Sequence, residues 1–142
     1  MMFPRRVTVF VILLLTINGS PVLGQDVDAT VTALNEALGP TYVVSHKGKM
    51  LVVESFREGQ QVKVDKINVF DLDTASIAYS SDENVVSIKC YSDLDACVER
   101  TLIINKKKSF RQRLAFGVEE GRSGSEIESK LRTMVISLSN KY

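Results

Sequence analysis

The spacing of its apolar residues constrains this chain most. Between Thr41 and Val118, β-branched and aromatic residues recur at alternate positions in short runs, each ending in a cluster of Gly, Asn, Asp, Ser or Lys. That is the period of a strand with one buried face, and the succession of runs predicts about seven antiparallel strands, over 41–45, 50–56, 62–70, 77–79, 85–90, 98–104 and 110–118. With no Trp and only 7% aromatic residues, the core must be built from Val, Ile and Leu, which suits β structure. Two runs carry internal conflicts. In 62–70, Val62 and Val64 share one parity while Ile67 and Val69 share the other, so a flat strand cannot bury all four, and a bulge or break near Asp65-Lys66 is expected. In 110–118, Phe110, Leu114, Phe116 and Val118 share a face with Gln112, which turns Arg111 and Arg113 outward.

A period of 3.6 flanks the β region on both sides. Val27, Val31, Leu34 and Leu38 fall on one helical face, Asp26 or Asp28 can cap the start, and Gly39-Pro40 ends the helix. At the other end Ile127, Leu131, Val135 and Leu138 recur every three or four residues. A capping box opens this helix, from Ser123 with Glu126 or from Ser125 with Glu128.

Ahead of these elements, residues 1–24 read as an export signal. Arg5 and Arg6 precede an apolar run from Val7 to Ile17, and small residues lead to a predicted cleavage after Gly24. The run is far shorter than the ~20 residues a membrane-spanning helix needs, and no second apolar segment follows. Removing 24 of the 142 residues leaves 118, enough for one core. Loss of Arg5 and Arg6 from the 18 basic residues leaves 16 against 17 acidic ones, so nucleic acid is not an expected partner. The expected organisation is a signal over 1–24, an N-terminal helix over 25–40 and a single β-rich domain with its C-terminal helix over 41–142. The expected location is secreted or periplasmic.

An α+β chain of about seven antiparallel strands forming a small barrel or sandwich, capped by a C-terminal amphipathic helix, resembles the pleckstrin-homology-like fold from Thr41 to Asn140. Its spacing is also similar to that of small secreted bacterial proteins of unknown function. The resemblance draws attention to the loop His46-Lys47-Gly48-Lys49, where many such domains place basic residues that bind inositol phosphates. A solvated turn is the plainer reading, since fold alone carries no function.

The residues offer little for catalysis. His46 is the single histidine, placed by the pattern in an exposed turn, and G-x-S-x-G, H-E-x-x-H and a phosphate-binding glycine loop are all missing. Asp71 and Asp73 begin like a calcium loop, but Ala75 and Ser76 stand where a ligand and the turn glycine belong. The second Asp-Leu-Asp, Asp93 to Asp95, reads as turn chemistry. No cofactor is expected. A richer feature is the acid-free run from Asn105 to Arg113, in which Lys106, Lys107, Lys108, Arg111 and Arg113 make a candidate anion-binding patch at a hairpin tip. The same lysines also serve simply to solubilise a turn and guard an edge strand.

The two cysteines, Cys90 and Cys97, are too few for a zinc site and too far apart for a C-x-x-C redox motif. Export through an oxidising compartment makes a Cys90–Cys97 disulfide the expectation. Cys97 does not share parity with Val98 and Leu102, so it must lie in the loop or at a bulge before its strand. The function expected from these features is a non-catalytic binding or interaction module, with an envelope protein or anionic glycan as partner. An accessory subunit of a cell-envelope assembly is the next reading, and an enzyme with an unrecognised site the third.

Overall fold

Asp26 opens the first helix, its carboxylate accepting the Asp28 amide at 3.2 Å, and Gly39 closes it with a φ of 84° that favours glycine. The computed structural model describes residues 26–142, so the expected signal and its cleavage site lie outside the described residues. Helix α1 (Val27–Leu38) leads into β1 (Tyr42–Lys47), β2 (Met50–Arg57) and β3 (Gln60–Asn68). A 3-10 turn, Val69–Asp71, then turns the chain into β4 (Leu72–Ser80). There follow β5 (Val85–Cys90), β6 (Val98–Leu102), β7 (Lys108–Arg111), β8 (Arg113–Gly117) and helix α2 (Gly124–Lys141). Of the two capping boxes the sequence offered, Ser123 is the one used, its hydroxyl accepting the Glu126 amide at 3.2 Å. Gly124 is required beside it, because a Cβ there would fall 2.2 Å from the Tyr79 ring.

The fold is α+β and antiparallel throughout, with eight strands rather than seven. Among the described residues they form two sheets, one in the order β1-β2-β3-β6-β7 and one in the order β4-β5-β8, and no closed barrel. The chain passes between sheets at one corner. The turn Val69–Asp71 carries β3 into β4, Gln112 carries β7 into β8, and the cysteine loop carries β5 into β6. Neighbouring backbone bonds tie this corner together: the Cys90 amide donates to Gln112 and the Tyr91 amide to Asp71, at 2.8 and 3.1 Å. Strands that change sheet through bends are a known way to turn such a corner.

Several expectations are corrected here. The run 62–70 contains no bulge or break at Asp65-Lys66. The strand ends at Asn68, Val69 enters the turn, and the irregularity of this pair lies at Val62, the extra β3 residue between the Ser55–Lys63 and Phe56–Gln61 pairs. Ile67 therefore faces the core while Val62 and Val64 face outward, and Lys63 and Asp65 take the inner positions. The run 110–118 is two strands in two sheets, so Phe110 does not share a face with Leu114 and Phe116. Residues 72–76, ahead of the strand expected over 77–79, belong to β4, which is irregular between Asp73 and Ala78. The Ser76 hydroxyl fills the gap in the ladder, accepting the Lys89 amide at 2.8 Å and donating to the Asp73 carbonyl at 2.6 Å. Ile104 lies beyond the end of β6 and is 93% exposed.

One core joins every element except β7. Val44, Leu51, Val53, Ile67 and Val98 line the inner face of the larger sheet, and Ile88, Leu114 and Phe116 that of the smaller, all buried. Helix α2 supplies Ile127, Leu131, Met134, Val135 and Leu138, and α1 supplies Val27, Leu34 and Leu38. Each such side chain removed from water is worth about 1.5–3 kcal/mol, so the amphipathic stripes fix where the helices lie.

Candidate functional site

A sheet edge presents unpaired N–H and C=O groups, and among the described residues side chains bond such groups on three of the four edges. On β1 the Asn35 side chain of α1 accepts the Val44 amide at 2.7 Å and donates to the Val44 carbonyl at 2.9 Å, acting as a one-residue substitute for a neighbouring strand. On β4 the Tyr79 amide donates to Glu128 at 2.9 Å and the Ile77 carbonyl accepts from Arg132 at 3.2 Å, both from α2. On β8 the Gly117 amide donates to the Tyr42 hydroxyl at 2.9 Å, while the Tyr42 ring packs edge-on against Phe116. No comparable cap is found on β7 among the described residues. At its end Cys90 Sγ lies 3.7 Å from the Arg111 carbonyl oxygen, but a disulfide sulfur has no proton to donate.

The open edge borders an uncovered face. Registers across the larger sheet align Lys108, Thr101, Val64, Glu54 and Val43 in one outward row, and Phe110, Glu99, Lys66, Val52 and Ser45 in the next. Helix α1 meets the sheet at β1, and α2 lies against α1, β4 and β5, so neither helix crosses this face. Phe110 is consequently 64% exposed, and Val43, Met50, Ile103 and Ile104 are exposed with it. Glu54, Lys66, Glu99 and Lys108 lie among these side chains in the two rows, so the outer face is mixed, with Phe110 at the β7 edge and Val43 at the β1 edge.

The five cations predicted as a patch are distributed by strand alternation and by the change of sheet at Gln112. Lys106 and Lys107 lie in the turn before β7, Lys106 with a φ of 56°. Lys108 points outward and pairs with Glu99 at 3.0 Å. Arg111 stands opposite Val98 on the inner face, and Arg113 is in the other sheet, 3.9 Å from Glu83. Arg111 was expected to point outward, and the break at Gln112 is the reason it does not.

Arg111 instead joins residues that sequence reasoning missed. Asp65, 1% exposed, stands opposite Arg100 and receives its guanidinium on both oxygens, from Nε at 2.8 Å and Nη2 at 3.4 Å. Lys63 shares this inner face two residues away. Burial first, then the charges of Arg100 and Arg111, hold the Lys63 ammonium below its ordinary pKa of 10.5, with Asp65 opposing them. The signal was present in the parity conflict of 62–70. Taking the odd positions as the inner ones would have placed Lys63 and Asp65 beside Ile67, facing Arg100 beside Val98.

His46 is corrected too. It lies on β1 opposite Leu51 with its side chain 13% exposed, Nδ1 3.1 Å from the Gly48 carbonyl and Nε2 3.3 Å from Asp28. It thereby ties the start of α1 to the β1–β2 turn. Asp73 accepts the Ala75 amide at 3.0 Å within the irregular stretch of β4. Among the described residues, no three His, Cys, Asp or Glu side chains come together to hold a metal, and no helix is long and apolar enough to cross a membrane. A groove of about 200 Å³ between the helices is lined by Ala29, Ala33, Ser129 and Thr133 and is smaller than ordinary ligand pockets.

Cys90 and Cys97 form a disulfide, with Cα atoms 5.9 Å apart. Cys97 precedes Val98, the first residue of β6, which resolves the parity difficulty. No protein-family model, curated protein or solved structure matches this chain.

Proposed function

We propose that this chain is an exported, non-catalytic interaction module that docks a protein partner along the free edge of β7 and the exposed Phe110 ring on its outer face. The observation that carries this reading is the contrast between edges: β1, β4 and β8 are closed by Asn35, by Glu128 with Arg132, and by Tyr42, while β7 is left open next to exposed Phe110. A strand added to an edge gains affinity from main-chain hydrogen bonds and specificity from alternate side chains. Lys106, Lys107 and Lys108 flank this edge and discourage two copies of the chain from pairing there, because like charges would meet. They suit a partner segment that alternates apolar and acidic residues. The two sheets are read as halves of a small sandwich closed by α2, and residues 1–24 as the signal that takes the chain out of the cytoplasm. A role as accessory subunit of an envelope assembly fits the same surface.

The test is site-specific photo-cross-linking in the native host. A photoreactive residue at Phe110 is expected to give a discrete adduct with a partner, and one at Lys89, exposed on the smaller sheet, is expected to give none. Phe110→Asp should abolish co-purification of the partner. Absence of an adduct from position 110, or the same adducts from position 89, would end this reading.

A further inference from the structure

We infer that the tip of the β6–β7 hairpin is a membrane-docking point, which places Ile103 and Ile104 among the acyl chains of a bilayer while Lys106 and Lys107 engage its anionic phospholipid headgroups. It uses the hairpin tip and neither Phe110 nor the β7 edge, so it does not depend on the docking surface proposed above.

The tip is a built turn. Residues 103–107 lie beyond the last ladder pair of the hairpin, Thr101 with Lys108. The Leu102 amide donates to the Lys107 carbonyl, the Ile103 amide to the Val62 carbonyl of β3, and the Lys107 amide to the Asn105 side chain, each at 3.0 Å. Lys106 reverses the chain in the left-handed region, with a φ of 56°. These bonds hold the tip in one shape, so presenting its side chains to a surface requires little further ordering.

The apolar part has no role inside the fold. Turn positions ordinarily go to Gly, Asn, Asp, Ser or Pro, each for a conformational reason that isoleucine lacks. Ile104 is 93% exposed, with Ile103 and Leu102 also exposed behind it. A convex tip does not enclose a ligand, but it enters a fluid phase that closes around it. Binding at a bilayer interface grows with the apolar area buried, to a depth of about 5–10 Å, and with attraction to anionic lipid.

Charge supplies the second half. Lys106 and Lys107 are exposed beside the isoleucines, while Lys108 is taken up by Glu99. The sequence has no acid between Glu99 and Glu119. The β2–β3 turn beside the tip brings Arg57 and Glu58, which offset each other. Glu119 accepts from the Thr41 hydroxyl at the start of β1, three strands from β6. That is roughly 14 Å, beyond the Debye length of about 8 Å at physiological salt. Lysine also suits the depth, because its stem lies along an apolar layer while its ammonium stays in water. A soluble polyanion would engage the lysines and leave the isoleucines in water, and a protein groove would take the isoleucines without calling for two adjoining cations. An anionic bilayer meets both demands at once.

The chain contains no Trp, so Ile104→Trp introduces a lone indole that reports on the tip alone, whatever the apolar run from Val7 to Ile17 does. A position 93% exposed accepts that exchange without disturbing the core. The purified full chain is mixed with vesicles of phosphatidylcholine containing phosphatidylglycerol, and with vesicles of phosphatidylcholine alone, at fixed ionic strength. With the anionic vesicles the emission should shift to the blue and be quenched by brominated acyl chains. Ile136→Trp, at an exposed isoleucine on α2, should give neither change. Adding Lys106→Gln and Lys107→Gln to Ile104→Trp should weaken its vesicle-dependent shift about 25-fold in lipid concentration, about fivefold for each lysine near an anionic surface. In the unsubstituted protein, nitroxide-labelled acyl chains should broaden the methyl signals of Ile103 and Ile104 and spare those of Ile136, which excludes an affinity created by the indole itself. An unshifted indole at position 104 would overturn the inference and leave the tip to a protein or a glycan. So would equal shifts from positions 104 and 136, equal response to the uncharged vesicles, or unchanged binding after loss of both lysines.

Discussion

Lys63 is an uncommon inner-face residue, and its position makes stability depend on pH in a predictable direction. Its ammonium is held below 10.5 by burial, then by Arg100 and Arg111, against the pull of Asp65. The native state therefore gives up this proton more readily than the unfolded chain, and stability rises with pH wherever the unfolded state binds more protons. Charged Lys63 disfavours folding at neutral pH, and that penalty is lifted as pH climbs from the lowered native value through 10.5. Urea denaturation of the parent and of Lys63→Met across pH 7.5 to 10.5 should give curves that converge, with Met the more stable at the low end. Parallel curves would show that the Lys63 environment is no different in the folded state. The neighbouring pair follows another rule. Asp65 is tolerated at 1% exposure because Arg100 satisfies both of its oxygens, and a carboxylate buried there alone would be far costlier than the pair is beneficial.

At the scale of elements, the fold depends on polar side chains reaching from helices to strand edges. Asn35 is the clearest case, since one amide satisfies both the N–H and the C=O that Val44 would otherwise present unpaired at the edge of β1. Asn35→Ala is expected to cost about 1–2 kcal/mol, the penalty of leaving such groups unsatisfied, and to speed hydrogen exchange at Val44. Asn35→Asp should not restore stability, because a carboxylate cannot donate to the Val44 carbonyl. A change under about 0.5 kcal/mol for Asn35→Ala would place it with ordinary surface substitutions. The elements legible in the sequence were those whose signals are local. Asp26, Gly39 and Ser123 mark helix ends by the conformations and free amides they serve, and β5 was bounded correctly by Val85 and Cys90 because its alternation is unbroken. The division at Gln112 was not legible, since a change of sheet preserves the alternation that a single strand would show. The Lys63, Asp65, Arg100 and Arg111 cluster was obscured for a related reason. Its members sit on three strands, and hydrophobicity argued for burying Val62 and Val64 where register buries their neighbours.

For the whole molecule the decisive feature is the corner at which the chain changes sheet. Three crossings meet there, at Val69–Asp71, at Gln112 and in the loop between Cys90 and Cys97, and the disulfide links the last residue of β5 in one sheet to the residue before β6 in the other. The bond therefore restrains how the two sheets sit against each other as well as closing a short acidic loop. In the chain-entropy account a loop of about eight residues is worth ~2.5 kcal/mol, a substantial share of the 5–15 kcal/mol typical of a domain. Reduction of the intact protein should lower the unfolding free energy obtained from urea titration by that amount while leaving native secondary structure in place, because the core contacts of Ile67, Val98, Ile88 and Leu114 remain on both sides of the corner. The denaturant slope should change little, since so short a loop hardly compacts the unfolded chain. Hydrogen exchange distinguishes a restraint between sheets from a merely local staple. If the bond restrains the sheets, reduction should speed exchange at the Cys90 and Tyr91 amides, whose partners are Gln112 and Asp71, as well as within the loop. Faster exchange confined to Ser92 through Ala96 would reduce the disulfide to a loop closure.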